Sequence, residues 1–259
     1  MQNEIEGWEP TPDQFIAEHP TWQFSVEKLQ NELNKFKDYI EVPEYVHRSG
    51  GLNGWSLLGR VDDLQSGFEF KVGIQHPPYK TQDMTDPDPK VYYKMDYARE
   101  HKIYHMMDYD KPTSICVGYF KEVIDFLGDH GIKVRRARLS HMCGGGEIQP
   151  HTDGNFFRIH IPILTSDSRF VHNDEAYNLE MGKVYIANVH RYHYVKNQAP
   201  TDRWHLVADC WDTGYNFEIG GWSQERWEQE CENARLWREY VDGERESPEM
   251  ILMGAKNTG

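Results

Sequence analysis

Apolar residues recur along this chain with two different periods, and the change from one to the other divides it. Val26, Leu29, Leu33, Phe36 and Ile40 step by 3, 4, 3 and 4, which is one face of an amphipathic helix ending before Pro43. The residues before it, 1–20, are polar and carry Pro10, Pro12 and Pro20, so no element is predicted there. Trp55 to Val61 and Phe68 to Ile74 read as strands separated by a polar turn. Residues 76–114 hold five of the thirteen prolines and read as a long irregular segment of the kind that forms lids and binding surfaces. Tyr119 to Leu127 returns to the helical period, with Gly128 and Gly131 as stops.

From Ile132 the period becomes two. IKVRRARLSHM, GGGEIQPHTD, FFRIHIPIL, RFVHN, KVYIANV and WHLVADCW are six short strands in about 80 residues without intervening helices, the mark of an antiparallel sandwich or jelly roll. Trp227, Cys231, Ala234, Trp237 and Val241 then fall at helical steps between Ser223, an N-cap, and Pro248. The expected organisation is one domain: a helical and irregular N-terminal part over 1–131 with early strands, a β core over 132–215, and a helical tail over 216–259. The helices are expected outside the sheet, covering one face.

Composition narrows the classes of partner. The 28 Lys+Arg against 42 Asp+Glu give a net charge of −14, which excludes a nucleic-acid binder driven by bulk electrostatics. Eight Trp, 15 Tyr and 11 Phe suffice for a real core. Cys116, Cys143, Cys210 and Cys231 are too far apart for a zinc-ribbon pairing, and idle thiols in a reducing compartment are expected. No leader pattern and no apolar run of membrane-spanning length is present, so the expected protein is cytoplasmic with no membrane partner; its oligomeric state is left open.

The chemistry gathers in the period-two region. His151 and Asp153 are two apart in an extended segment, so their side chains share a face with Cα atoms roughly 6 to 7 Å apart and can close on one metal ion. A third imidazole would complete a two-histidine, one-carboxylate triad that leaves three positions of octahedral Fe(II) open for a chelating cosubstrate and O2. His193, in a turn after the KVYIANV strand, is the candidate. Arg203, ten residues on, can clamp the far carboxylate of a dicarboxylate ligand whose other end chelates the iron. In FFRIHIPIL, Phe157, Ile159, Ile161 and Ile163 face one way and Arg158 and His160 the other, toward the interior, where a bound carboxylate would satisfy both. Arg136 and Arg138 share one strand face and Arg135 takes the other. His205 shares a face with Arg203 and is expected beside the site or in the core, and His190 on the surface. Trp55, Arg60 and the 76–114 segment are expected to form a substrate lid.

The ordered set PHTD, RxHxP, GK, H and then R ten residues later, within residues 137–209, resembles the aspartyl/asparaginyl β-hydroxylase family of Fe(II)- and 2-oxoglutarate-dependent oxygenases. The resemblance implies a double-stranded β-helix, a mainly β jelly roll of cupin type. It implies that His151, Asp153 and His193 are the iron ligands, and that Arg203 and Ser140 hold the 5-carboxylate of 2-oxoglutarate. Arg158 and His160 match the pair near its 1-carboxylate. The implied reaction hydroxylates an unactivated C–H of a small-molecule or peptide substrate, amino-acid-like, with release of succinate and CO2. The carboxylate at Asp153 aligns the chain with bacterial members, and with hydroxylation rather than halogenation. A redox-inert zinc or nickel cupin accounts for the three ligands but leaves Arg203, Ser140, Arg158 and His160 without a task. An interaction module displaying the tyrosines of 92–109 is the third reading.

Overall fold

The structure, a computed structural model, describes residues 14–37, 52–61, 64, 99–100, 102, 104–151, 157–165, 167–189, 191–211 and 224–246. The predicted strand at Phe68–Ile74, most of the 76–114 segment, Ile40, Pro43, Asp153, His190, Ser223 and Pro248 lie outside them.

Eight strands run in succession from β5 to β12: β5 (Lys133–Met142), β6 (Glu147–His151), β7 (Phe157–Leu164), β8 (Ser168–His172), β9 (Glu175–Asn178), β10 (Lys183–Ala187), β11 (His193–Asn197) and β12 (Arg203–Trp211). Four others precede them: β1 (Ile16–Gln23), β2 (Leu52–Ser56), β3 (Leu58–Gly59) and β4 (Lys111–Pro112). The six-stranded sheet has the order β1-β10-β7-β12-β5-β2 and the four-stranded sheet the order β6-β11-β8-β9, with every pairing antiparallel. The chain passes from the larger sheet to the smaller and back as it goes from β5 to β12. That winding is the double-stranded β-helix, the fold class that the alternating region implies.

Strict alternation gives the larger sheet two different faces. Leu139, Ile159, Ile161, Leu206, Ala208, Val184 and Ile186 point outward into an apolar core. There they meet Leu29 and Leu33 of α1 (Val26–Asn34) and Phe120, Val123, Ile124 and Leu127 of α2 (Gly118–Asp129). Ser25 caps α1 by accepting from the Lys28 N–H at 3.3 Å. Glu32 of α1 reaches the first turn of α2 and accepts from the Tyr119 N–H at 3.3 Å, so a carboxylate from a neighbour serves a helix N-terminus that lacks a side-chain cap of its own. The inner face of the sheet packs against the smaller sheet through Phe15, Met142, Phe170, Tyr185 and Val195.

Five expectations are corrected. Residues 16–23 form an edge strand, β1, despite Pro20, because an edge strand has one ladder side unpaired and Pro20 is exposed there. The Trp55–Val61 strand breaks at Leu57 into β2 and β3, since Leu57 bonds Ala137 through its N–H and Thr113 through its carbonyl. Six strands become eight with β9 and β11, and His193 opens β11 instead of sitting in a turn. Among the described residues, α1 and α2 alone cover the sheet. The third helix, α3 (Gln224–Asp242), packs on the turn at Met106–Asp108, tied by Arg238 to Asp108 at 2.7 Å and by Tyr104 to Asp242 at 2.6 Å, and its Cys231 is exposed. Trp55 is no lid residue: it is fully buried and stacked on Trp204 at 4.9 Å on the helix side. No helix among the described residues is long and apolar enough to cross a membrane.

Removing Trp55 empties a site that neither sheet nor helices can refill. Trp55→Ala is expected to cost about 3–5 kcal/mol in urea unfolding; a loss under about 1 kcal/mol would show that the Trp55–Trp204 stack is not a core contact.

Candidate active site

His151 closes β6 and His193 opens β11, and the two are direct partners in the antiparallel ladder, with ring centroids 4.5 Å apart. Each ring is oriented by its own backbone. The His151 Nδ1 lies 2.7 Å from the Gln149 carbonyl and the His193 Nδ1 lies 2.8 Å from the Arg191 carbonyl. A carbonyl only accepts, so Nδ1 carries the proton in both rings and Nε2 carries the lone pair. This is the tautomer a metal-ligating histidine needs. His172, on β8, makes the same kind of bond to the Tyr192 carbonyl at 2.8 Å. It is linked to the pair through Phe15, whose ring stacks on His172 at 4.8 Å and lies 5.3 Å from His193.

On the facing sheet, β-register carries the remaining predicted residues to one side. Arg203 pairs with Met142 and His205 with Ser140, while His160 pairs with Val207 and Arg158 with Asp209. Partners across a ladder share a face, so Arg203, His205, Ser140, Arg138, His160, Arg158 and Asp209 all point inward. Ser140 is therefore a diagonal neighbour of Arg203, and both are buried.

Arg203 is the unusual member. It is 2% exposed, its guanidinium lies 5.3 Å over the Phe170 ring, and its polar contacts are with His205. The Arg203 Nε is 3.1 Å from His205 Nε2 and one terminal nitrogen 2.9 Å from His205 Nδ1. A neutral imidazole has one acceptor nitrogen, so only one of these contacts is a hydrogen bond. No carboxylate of the described residues pairs with it. Burial lowers its pKa to about 9, which leaves it protonated at neutral pH: a buried cation without an anion among the described residues. His160 lies nearby, 5.8 Å from His205 between ring centroids, with both ring nitrogens buried and without hydrogen-bond partners among the described residues. Burial and then the charges of Arg203, Arg158 and Arg138 hold its pKa well below the ordinary value, so it is neutral.

Arg158 has a protein partner. Its Nε donates to Asp209 Oδ1 at 2.9 Å, while Asp209 Oδ2 receives Arg136 at 2.5 Å and lies 3.5 Å from Arg138. Arg136 and Arg138 thus both reach Asp209 while Arg135 lies 3.9 Å from Asp110; strand alternation is broken here by an irregularity in the β5–β12 ladder, where Arg136 has a positive φ. The need for a carboxylate that Arg158 poses in the sequence is met by Asp209, which sequence reasoning left without a role. The signal was present: Arg203, His205, Val207 and Asp209 share one parity along β12. Burial pushes the Asp209 pKa up, but the three guanidiniums outweigh it and hold it at about 2.

This is a jelly-roll protein whose histidine pair and charged residues lie between its two sheets. A family model for aspartyl/asparaginyl β-hydroxylases matches residues 81–213, just over half of the chain, and the chain belongs to that family. The match begins well before the stretch whose motifs are legible by eye. No curated protein sequence matches the chain significantly. Among solved structures, an oxidoreductase of the 2OG-Fe(II) oxygenase family from Burkholderia pseudomallei aligns over 38% of this chain and 61% of its own, at 16% identity and a TM-score of 0.32. A predicted oxalate decarboxylase from Thermotoga maritima aligns over 35% and 72%, at 20% identity and a TM-score of 0.27. A cupin domain from Bordetella pertussis aligns over 30% and 80%, at 18% identity and a TM-score of 0.27.

Replacing Asp209 by Asn leaves three buried guanidiniums around a neutral amide, and a loss of about 3–5 kcal/mol is expected in denaturant unfolding. The folded pKa of about 2 lies below the ordinary 3.8, so the unfolded chain binds more protons between these values. The contribution of Asp209 is fully present above about pH 4 and is lost as pH falls toward 2. A wild-type stability that is flat across that window, or equal to that of Asp209→Asn at pH 7, would show that the carboxylate does not hold the arginines.

Proposed function

We propose that the protein is an Fe(II)- and 2-oxoglutarate-dependent hydroxylase acting on an unactivated C–H of an amino-acid-like substrate, either a free amino acid or a peptide side chain. The observation that carries this reading is Arg203, a buried guanidinium that no described carboxylate neutralises, on the same inner face as Ser140. A dicarboxylate cosubstrate brings the missing charge. In this reading the distal carboxylate of 2-oxoglutarate takes Arg203 in a charge-assisted pair and Ser140 adds a hydroxyl. His205 holds the guanidinium in place from the side.

The donor set fits the metal. His151 and His193 present lone pairs at Nε2, and Asp153, two residues after His151, is the third ligand by motif. Iron bound there supplies the activation of O2 that couples oxidative decarboxylation of the cosubstrate, to succinate and CO2, with hydroxylation of the substrate. The chain's own task is placement. His160, neutral and with both nitrogens buried, offers one donor and one acceptor to the metal-proximal end of the cosubstrate. Arg158, held by Asp209, keeps positive charge beside it without swinging away. Phe15 and Phe170 close the flanks of His193 and Arg203 with apolar surface, which strengthens the electrostatics of an ion bound between them.

Anaerobic titration with Fe(II) and 2-oxoglutarate tests the reading through the weak visible charge-transfer band of the chelate. The band is expected in wild type and absent in His193→Ala. Arg203→Ala is expected to weaken 2-oxoglutarate binding about 10- to 150-fold, the equivalent of about 1.5–3 kcal/mol for hydrogen bonds to a charged group. Succinate release against a panel of amino acids then identifies the substrate class. A folded wild type that forms no band while zinc binds at His151 and His193 would replace the oxygenase with a redox-inert cupin.

A further inference from the structure

We propose a second metal site, built from His141, Cys143 and Asp202, that takes a borderline-soft divalent cation of the zinc class. His141 is the penultimate residue of β5, Cys143 follows the strand, and Asp202 immediately precedes β12. One ligand atom from each lies within 4.8 Å of the other two. None of the three belongs to the histidine pair or to the arginine face, and the site does not depend on the proposed activity.

His141 provides the second, independent observation. It is 4% exposed, its ring lies 4.4 Å from the Trp204 ring, and neither ring nitrogen has a hydrogen-bond partner among the described residues. Asp202 Oδ2 lies 2.9 Å from its Nε2, close enough for an ion pair when the ring is protonated. That carboxylate is the one ion-pair partner of the ring among the described residues, and a buried neutral imidazole facing it through an Nε2 lone pair would meet repulsion, not compensation. A cation between Nε2 and the carboxylate would satisfy both.

The backbone holds the ligands in place without the metal. The Gly144 N–H donates to Asp202 Oδ1 at 3.2 Å, the Gly145 N–H to the Ala199 carbonyl at 3.0 Å, and Asn197 Nδ2 to the Cys143 carbonyl at 3.0 Å. Gly144 is required for this approach, because a Cβ there would lie 2.3 Å from the Pro200 carbonyl oxygen. The turn after β5 is thereby locked against the loop that leads into β12. In a tetrahedral zinc site the N, O and S ligand atoms stand about 3.3 to 3.6 Å apart, so a contraction of about an ångström closes the cluster. The Asp202 side chain is half exposed and leaves the fourth position to water. One thiolate, one imidazole and one carboxylate select zinc over the hard cations.

Cobalt(II) alone is the probe, added to chelator-stripped full-length protein without 2-oxoglutarate. A thiolate bound to cobalt gives an intense near-ultraviolet charge-transfer band, and the histidine and carboxylate ligands proposed for iron contain no sulfur. The band is expected to level off at the intensity of one thiolate–cobalt site per chain, to be lost in Cys143→Ser, to survive in His193→Ala, and to be displaced by zinc. Asp202→Asn, a surface change that leaves the strands intact, is expected to weaken the cobalt affinity that the band reports about tenfold or more. Absence of the band in folded wild type, or an undiminished band in Cys143→Ser, would overturn the site. Neither result bears on the Fe(II) and 2-oxoglutarate titration, so the two proposals fail separately.

Discussion

Three guanidiniums share one buried carboxylate at Asp209, and the charged inner face of the larger sheet depends on that sharing. Arg136 and Arg138 come from β5, Arg158 from β7 and Asp209 from β12, so the interaction joins three adjacent strands at the end away from Arg203. Burying an arginine inside a jelly roll is costly unless an anion accompanies it. Asp209 meets that condition at one end of the sheet. At the other end Arg203 has no such companion among the described residues, and the contrast between the two ends is what marks the second as a place for a ligand.

The same sheet shows how an interior can be polar without weakening the fold. Its outer face carries the aliphatic side chains that pack on α1 and α2, and this layer holds the strands together. The inner face is thereby free to carry Arg, His, Ser and Asp at successive inward positions, with Phe15, Phe170 and Met142 filling the space between the sheets. Membership of the aspartyl/asparaginyl β-hydroxylase family is consistent with this division, since the matched residues include the strands that bear the charged face.

The parts of the fold legible from sequence are those where one face meets the apolar core. FFRIHIPIL, WHLVADCW and the helix around Phe120–Leu127 have clean periods because one side of each is buried in hydrocarbon. β11 lacks such a period for the opposite reason. Its buried positions are His193, Val195 and Asn197, so polar residues occupy the side that a hydrophobic pattern requires to be apolar. β1 is hidden because Pro20 argues against a strand, and only its position at the sheet edge makes that proline harmless. Trp55, an aromatic in a glycine-flanked strand, carries no local sign of which face it takes; pairing with β5 placed it against Trp204.

By itself the sequence determined the jelly-roll class, the inward parity of Arg158, His160, Arg203 and His205, and the motif that names His151, Asp153 and His193, because spacing of two along a strand decides which side chains share a face. Tertiary structure decided the rest. It set His151 opposite His193, gave Arg158 to Asp209, left Arg203 without a carboxylate among the described residues, and brought His141 and Cys143 to Asp202. These are pairings between strands tens of residues apart. Ladder register between β5 and β12, and between β6 and β11, specifies them, and register is a property of the assembled sheet, not of any one strand.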